Sequence, residues 1–267
     1  MEVIRPTEYV LGAFGAGPHV LALPGGQATS WVSGDVVLKP GGGPAHEWWG
    51  ETLLELRFDD IRVSTPIATS DGAWVVDGWT ATSFMAGSHP DLSQRSALLA
   101  VVEAGRAFHR AVRHLPRPSF LDSRDDRWAV ADRVAWGEQD MTFGRELSDL
   151  AARLRPQEDP PGESQLVHGD LTGNVLFAPC LPPVVIDISP YWRPTSYAEG
   201  VIAADALCYH GADESILPLL GVPASAVARA LLFRAATANA LARNGSTAAR
   251  LAEEAERLRR AASVIGV

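Results

Sequence analysis

Leu166-Val167-His168-Gly169-Asp170-Leu171-Thr172-Gly173-Asn174-Val175-Leu176-Phe177 is the densest chemical stretch of the chain. An apolar, strand-like lead-in delivers a histidine, an aspartate and an asparagine, and an apolar exit follows at once. Ten residues after Asn174 begins a second apolar run with one acid, Val184-Val185-Ile186-Asp187-Ile188. Two short strands flanking a polar loop, with an acid on each arm, bring two carboxylates and an amide within reach of one point. Phosphoryl transfer needs that inventory: a carboxylate to orient the acceptor hydroxyl, and oxygen ligands for Mg²⁺.

Lys39 is a second fixed point. The chain has 23 lysine and arginine residues, and Lys39 is the only lysine among them. It closes the run Val36-Val37-Leu38-Lys39, read as a strand entered through the Ser33-Gly34-Asp35 turn. Arginine replaces lysine in most solvated roles, but not where a compact, flexible point charge is required. Lys39 is therefore either retained for its geometry or left over on the surface, and taken alone it does not decide. The arginine bias itself fits the coding of a GC-rich, actinobacterial-type genome.

A chain of 267 residues can form one large domain or two lobes with ample core. Its 46% hydrophobic and 21% charged residues are ordinary for a soluble globular protein. No apolar run is long enough to cross a bilayer, and Met1-Glu2-Val3-Ile4-Arg5-Pro6 is not a secretory signal. Cys180 and Cys208 make neither a disulfide framework nor a metal knuckle, so a reducing cytoplasm is the expected setting. A net charge of −9 argues against a nucleic-acid partner and permits a cationic substrate without requiring one. Oligomeric state is not legible.

The first ~80 residues are rich in glycine and β-formers, and the remainder in Ala, Leu and Arg at helical spacing. Val20–Leu23 and Ala28–Val32 read as strands around a Pro24-Gly25-Gly26-Gln27 turn. Glu47–Leu56 reads as a helix, and 62–69 and 73–79 as two further strands. Helices are expected over 92–112, 128–136, 144–154, 224–244 and 247–264.

The ordered set of these motifs resembles the aminoglycoside phosphotransferase family of the protein-kinase-like superfamily, over roughly residues 20 to 210. His168-Gly169-Asp170-Leu171 looks like that family's catalytic-loop opening, and Val185-Ile186-Asp187 like its metal-binding strand end. The Gly25-Gly26 turn and the strand ending in Lys39 are similar to its phosphate-covering hairpin and nucleotide lysine. The resemblance implies an α+β, two-lobed fold: a small β-rich N-lobe over residues 1–83 and a larger, mainly helical C-lobe over 84–267. It implies transfer of the γ-phosphate of ATP, or GTP, to the hydroxyl of a small molecule, with Mg²⁺.

On the same resemblance Asp170 would orient or accept the hydroxyl proton, and Asp187 would hold Mg²⁺. Lys39 would contact the α- and β-phosphates, steadied by a helix carboxylate: Glu51, with Glu47 and Glu55 as rivals. The linker Trp79–Met85, with Thr82 and Phe84, would offer backbone groups to the purine edge. His168 would buttress the loop, and Asp205 would tie its helix to the loop, because an acid in an apolar helix needs a partner. Asn174 would be a metal ligand or, alternatively, a cap on its own loop. Arg193, Trp192 and Trp128 are candidates for substrate contact, core packing being the commoner use of a tryptophan.

One spacing departs from the family's pattern. Three residues separate Asp170 from Asn174, where the family usually has four. That shortening is the best support for the rival reading, a nucleotide-binding pseudokinase acting as scaffold or sensor. Other chemistries lack their motifs: there is no GxxxxGK[ST], no GxSxG, and no second histidine four residues after His46. Gly12–Gly17 is not a GxGxxG in a βαβ context.

Overall fold

Gly34 sits at φ +56 in the two-residue turn that joins strand Trp31–Ser33 to strand Val36–Pro40. A β-carbon is strained there, so glycine is what lets the hairpin close tightly. The computed structural model describes residues 4–23, 29–53, 55–155, 158–243 and 247–267. In chain order the first elements are α1 (Glu8–Ala13), β1 (Leu21–Ala22), β2 (Trp31–Ser33), β3 (Val36–Pro40) and α2 (Pro44–Leu53). β4 (Arg62–Val63), β5 (Pro66–Ile67), β6 (Trp79–Ser83), α3 (Arg95–Val112), α4 (Arg127–Ala135) and α5 (Arg145–Leu154) follow. Then come β7 (Gln165–His168), β8 (Val175–Leu176), β9 (Val184–Val185) and β10 (Pro190–Arg193). The chain ends with α6 (Thr195–Tyr209), α7 (Ile216–Leu220), α8 (Ala224–Arg243) and α9 (Ala248–Val264).

The chain folds into two compact units, Met1–Ser88 with Leu176–Asp187, and His89–Val175 with Ile188–Val267. They are discontinuous in sequence, whereas the composition shift suggests a single boundary near residue 83. The fold is the α+β arrangement expected, a β-sheet unit and a mainly helical one.

In the first unit the sheet runs in the order β1-β2-β3-β6-β5, with every pairing antiparallel. Val10 and Leu11 of α1, with Phe14 just after it, cover it by packing with Leu38, Trp79 and Ala81. Thr7 caps α1 by accepting from the Val10 N–H. Trp74 lies so close to α2 that a β-carbon on Gly50 would come within 2.4 Å of its ring. The returning segment joins this unit by parallel pairing of β9 with β4, and Ser64 N–H donates to the Val185 carbonyl at 3.0 Å.

In the second unit α6 is mostly apolar and mostly buried, with its two acids, Glu199 and Asp205, paired to arginines. It packs on α8 so closely that a β-carbon on Gly200 would lie 2.6 Å from the Ala226 carbonyl oxygen. β7 and β10 form an antiparallel pair with His168 opposite Pro190 and Leu166 opposite Trp192. Among the described residues no helix is long and apolar enough to cross a membrane.

Several expected elements are displaced. The helix expected from Glu47 begins at Pro44 and ends at Leu53. The strand expected over 73–79 begins only at Trp79, because Asp77 (φ 48) and Gly78 (φ 75) form a turn just before it. The expected linker Trp79–Met85 is therefore mostly a strand. Gly25 and Gly26 lie outside the described residues.

Gly200→Ala should destabilise the protein by about 1–3 kcal/mol, since the added carbon meets backbone rather than a movable side chain. Urea unfolding of the variant beside the native chain measures this, and an unchanged midpoint would contradict so close a helix crossing.

Candidate functional site

In the sheet unit the site is built on β3. Antiparallel pairing on both sides, with β2 and β6, fixes the strand, and Lys39 stands opposite Thr80. Its Nζ lies 2.5 Å from Asp187 Oδ2, a residue 148 positions away in sequence. Asp187 follows β9, and its φ of +51 is rare for a residue with a β-carbon. Such strain persists where the surrounding structure holds it and is common at functional positions. The side chains keep 40% and 53% exposure, so the ion pair contributes only about 0–1 kcal/mol.

The helix carboxylate expected beside Lys39 is not there. Glu47, Glu51 and Glu55 are all exposed and form no described ion pair, while the ammonium is taken by Asp187. The purine-edge expectation also changes. Thr82 is an interior residue of β6, paired with Val37 on one side and Pro66 on the other. Phe84 has its N–H donated to the Asp35 carbonyl at 2.7 Å. Thr82 is thus part of the sheet, and the Phe84 N–H is already engaged.

In the helical unit, β7 ends at His168 and a short loop follows. Gly169 donates to the Ser189 carbonyl at 2.9 Å, and the Tyr191 ring packs so near that a β-carbon on Gly169 would sit 2.4 Å from it. His168 is fully buried, and its Nδ1 accepts from the Asp170 N–H at 3.1 Å. Its own N–H donates to His109 Nε2, also at 3.1 Å. Leu171 turns inward onto α3 at Gly105, where a β-carbon would collide with its side chain. Asn174 N–H closes on the Leu171 carbonyl at 3.0 Å through Gly173 at φ +84, the third position of a type II turn.

The Asn174 side chain donates to the Asp170 carbonyl at 2.7 Å, so its amide nitrogen caps the loop. That leaves the amide oxygen as the only atom of this side chain suited to a metal. Asp170 is half exposed, and its Oδ1 receives Arg234 Nη2 at 3.0 Å. Arg234 also holds Asp205, Nε to Oδ1 at 2.8 Å and Nη2 to Oδ2 at 2.6 Å. Burial alone would lower the Arg234 pKa, but the two carboxylates outweigh it and raise the pKa well above its ordinary value. Asp205 thus joins its helix to the loop through a residue that the sequence reading missed. The signal was available: Arg234 is a lone charge in the apolar run Leu231-Leu232-Phe233-Arg234-Ala235-Ala236, the same anomaly that marks Asp205.

The three candidates for substrate contact are otherwise engaged or unremarkable. Arg193 donates to Asp132 and Glu138 at 2.6 Å each and lies 4.6 Å from the Trp136 ring centre, so its fork is filled from within the fold. Burial raises the Asp132 pKa and Arg193 opposes the rise, which marks a structural clamp between β10 and α4. Trp192 is half-buried in β10, and half-buried Trp128 lies beneath the Arg127 guanidinium at 4.8 Å.

The sequence profile of the phosphotransferase enzyme family matches residues 46–188, more than half of the chain. The chain belongs to this phosphotransferase family. No curated protein sequence matches it. Solved structures do. A thermostable mutant of aminoglycoside phosphotransferase APH(4)-Ia, in a ternary complex with AMP-PNP and hygromycin B, aligns at TM-score 0.61 and 15% identity, covering 97% of both chains. Spectinomycin phosphotransferase, in complex with ADP and spectinomycin, aligns at TM-score 0.59 and 15% identity, covering 97% of this chain and 96% of its own. The aminoglycoside phosphotransferase of Alicyclobacillus acidocaldarius aligns at TM-score 0.56 and 15% identity over 89% and 86%. At such identities these likenesses carry the kinase-like fold and leave the substrate open.

His109 supplies a pH test of the loop's support. Burial first, and the neighbouring His168 second, push its pKa down to about 3 from the ordinary 6.5. The native state keeps His109 neutral while the unfolded chain takes up a proton below ~6.5, so stability falls as pH drops. Between pH 6.5 and 4.5 the loss from this residue should be roughly 2–3 kcal/mol. In urea titrations the stability difference between the native chain and His109→Asn should shrink by that amount across the interval. A pH-independent difference would refute the assignment.

Proposed function

We propose that this phosphotransferase moves the γ-phosphate of ATP to a hydroxyl of a small molecule, with Mg²⁺. The observation that carries the reading is the Lys39–Asp187 ion pair. It supplies one compact cation and one carboxylate at a single exposed spot of the sheet unit, the pair of charges a metal–polyphosphate requires. Lys39 would leave Asp187 for the α- and β-phosphates, and Asp187 would take the metal. Asn174 Oδ1 would be a further oxygen donor. Asp170, whose loop is fixed by His168, Leu171 and Arg234, would orient the acceptor hydroxyl.

The donor chemistry fits magnesium. Among the described residues no cluster of three or more His, Cys, Asp or Glu could hold a metal. A magnesium ion of this class does not need one, since it is held by one or two carboxylates together with substrate phosphates and water. The adenine nucleotides bound to the related solved structures support ATP as the donor. Rate acceleration would come from positioning and charge neutralisation, without a covalent intermediate.

Lys39→Arg should weaken nucleotide binding about 10- to 100-fold, because a planar fork cannot reproduce a point-charge hydrogen bond of ~1.5–3 kcal/mol. Asp187→Ala should abolish the Mg²⁺ dependence of ATP binding, read by calorimetry with and without the metal. Asp170→Asn should spare ATP affinity and slow phosphate transfer, to water or to a panel of alcohols, by about 10²–10⁴-fold. Full turnover by either aspartate variant would sink its assigned role. Tight Mg-ATP binding with no transfer by the native chain would instead favour the pseudokinase, a reading to which the capped, shortened Asn174 loop lends weight.

A further inference from the structure

Asp170 is one end of a row of three charges whose other members lie on α6 and α8. Arg234 interrupts an apolar helix segment, and the residues on either side of it, Phe233 and Ala235, are buried. A guanidinium in such surroundings requires carboxylates. Asp205 meets that requirement with two bonds to Nε and Nη2, the forked geometry that fixes a guanidinium in plane. The bond from Nη2 to Asp170 Oδ1, at 3.0 Å, goes beyond what burial of the arginine demands. Side-chain exposure rises along the row from 4% at Asp205 to 17% at Arg234 and 44% at Asp170. The inner end is locked in helix packing and the outer end is accessible. Among the described residues, the hydrogen bond given to the second oxygen of Asp170 comes from the Asn174 amide at 3.4 Å, too long to hold it firmly.

Resting on the phosphotransferase reading of Asp170, we propose that Arg234 is a positioning residue: held by Asp205, it fixes Oδ1 of Asp170 so that Oδ2 addresses the acceptor oxygen. Arg234 touches neither nucleotide nor acceptor in this account. Its contribution is the direction of a carboxylate on a loop that has no strand ladder of its own. A misdirected carboxylate costs turnover and not nucleotide affinity, because Lys39 and Asp187 are separate residues.

The test uses the full chain, Mg-ATP, and phosphate release to water and to a panel of alcohols. Arg234→Met should lower kcat about 100-fold with the KM for ATP within about twofold, the scale expected of a displacement near 1 Å. Because that variant strands a buried carboxylate, Asp205→Asn combined with Arg234→Met removes both charges together and should show the same loss. In an Asp170→Asn background, adding Arg234→Met should change the residual rate by less than about twofold, since groups acting as one unit are not additive. A folded double variant with native kcat, a change in KM alone, or losses that add to Asp170→Asn would overturn the proposal. If the native chain transfers no phosphate at all, the phosphotransferase reading falls, and amide hydrogen exchange over residues 168–174 decides the positioning separately. Faster exchange in the double variant at equal global stability sustains it, and unchanged exchange overturns it.

Discussion

The loop that carries Asp170 depends on Arg234, a largely buried charge on α8, more than on any preference of its own residues. Residues 169–174 include two glycines and form no regular element. Their internal hydrogen bonds, Asn174 to the Leu171 and Asp170 carbonyls, make the loop compact without fixing where it sits. Placement comes from its attachments: Gly169 N–H to the Ser189 carbonyl, the Asp170 N–H to His168, the Leu171 side chain on α3 at Gly105, and Arg234 to the carboxylate. Only the last acts on the reactive group itself. Removing one partner of a buried ion pair costs about 3–5 kcal/mol, so the Arg234–Asp205 core is a stiff support.

The sheet unit uses the opposite device. Lys39 and Asp187 are both partly exposed, and their attraction is of the size that solvent largely screens. On the proposed function, a nucleotide bringing its own phosphates and metal would meet a solvent-screened ion pair here. The backbone beneath is rigid, since β3 lies between β2 and β6 and β9 is laddered to β4. Soft side-chain pairing on firm strands suits residues that must exchange partners when ligand arrives. Stiff side-chain pairing on a weakly structured loop suits a residue whose direction must not change.

The residues that form these charge pairs were legible because each breaks a pattern. Lys39 is the lone lysine at the end of an apolar strand, Asp187 a lone acid in another, and Asp205 an acid in an apolar helix. Arg234 breaks the pattern equally well, but only the pairing of α8 with α6 joins it to Asp205. What stayed illegible depends on tertiary pairing. Nothing local says that Lys39 would choose Asp187, which a parallel β9–β4 pairing brings back, over the three glutamates of the nearby helix segment. The start of β6 was misread because Val75 and Val76 have strand character while the turn at Asp77-Gly78 comes after them. The discontinuous units follow from the same pairing: residues 176–187 close a sheet begun more than a hundred positions earlier.

The arginine bias and the single lysine have one physical explanation in this fold, whatever their genetic origin. Arg106 holds Glu199 with two nitrogens at 2.9 Å each and also reaches the Leu220 carbonyl. Arg193 bridges Asp132 and Glu138 across the Trp136 ring, and Arg124 joins Asp126 to the Pro190 carbonyl beneath Tyr191. Each of these uses several donors of a planar fork at once, or stacks that plane on an aromatic ring, and an ammonium can do neither. Lys39 makes one short contact to one oxygen from a partly exposed strand end. A fork there would engage both oxygens of Asp187 and make the pair harder to open for a metal. The forked contacts of Arg106, Arg193 and Arg124 brace the helical unit, whereas a point charge at Lys39 leaves the pair with Asp187 easier to open, as the proposed nucleotide role would need.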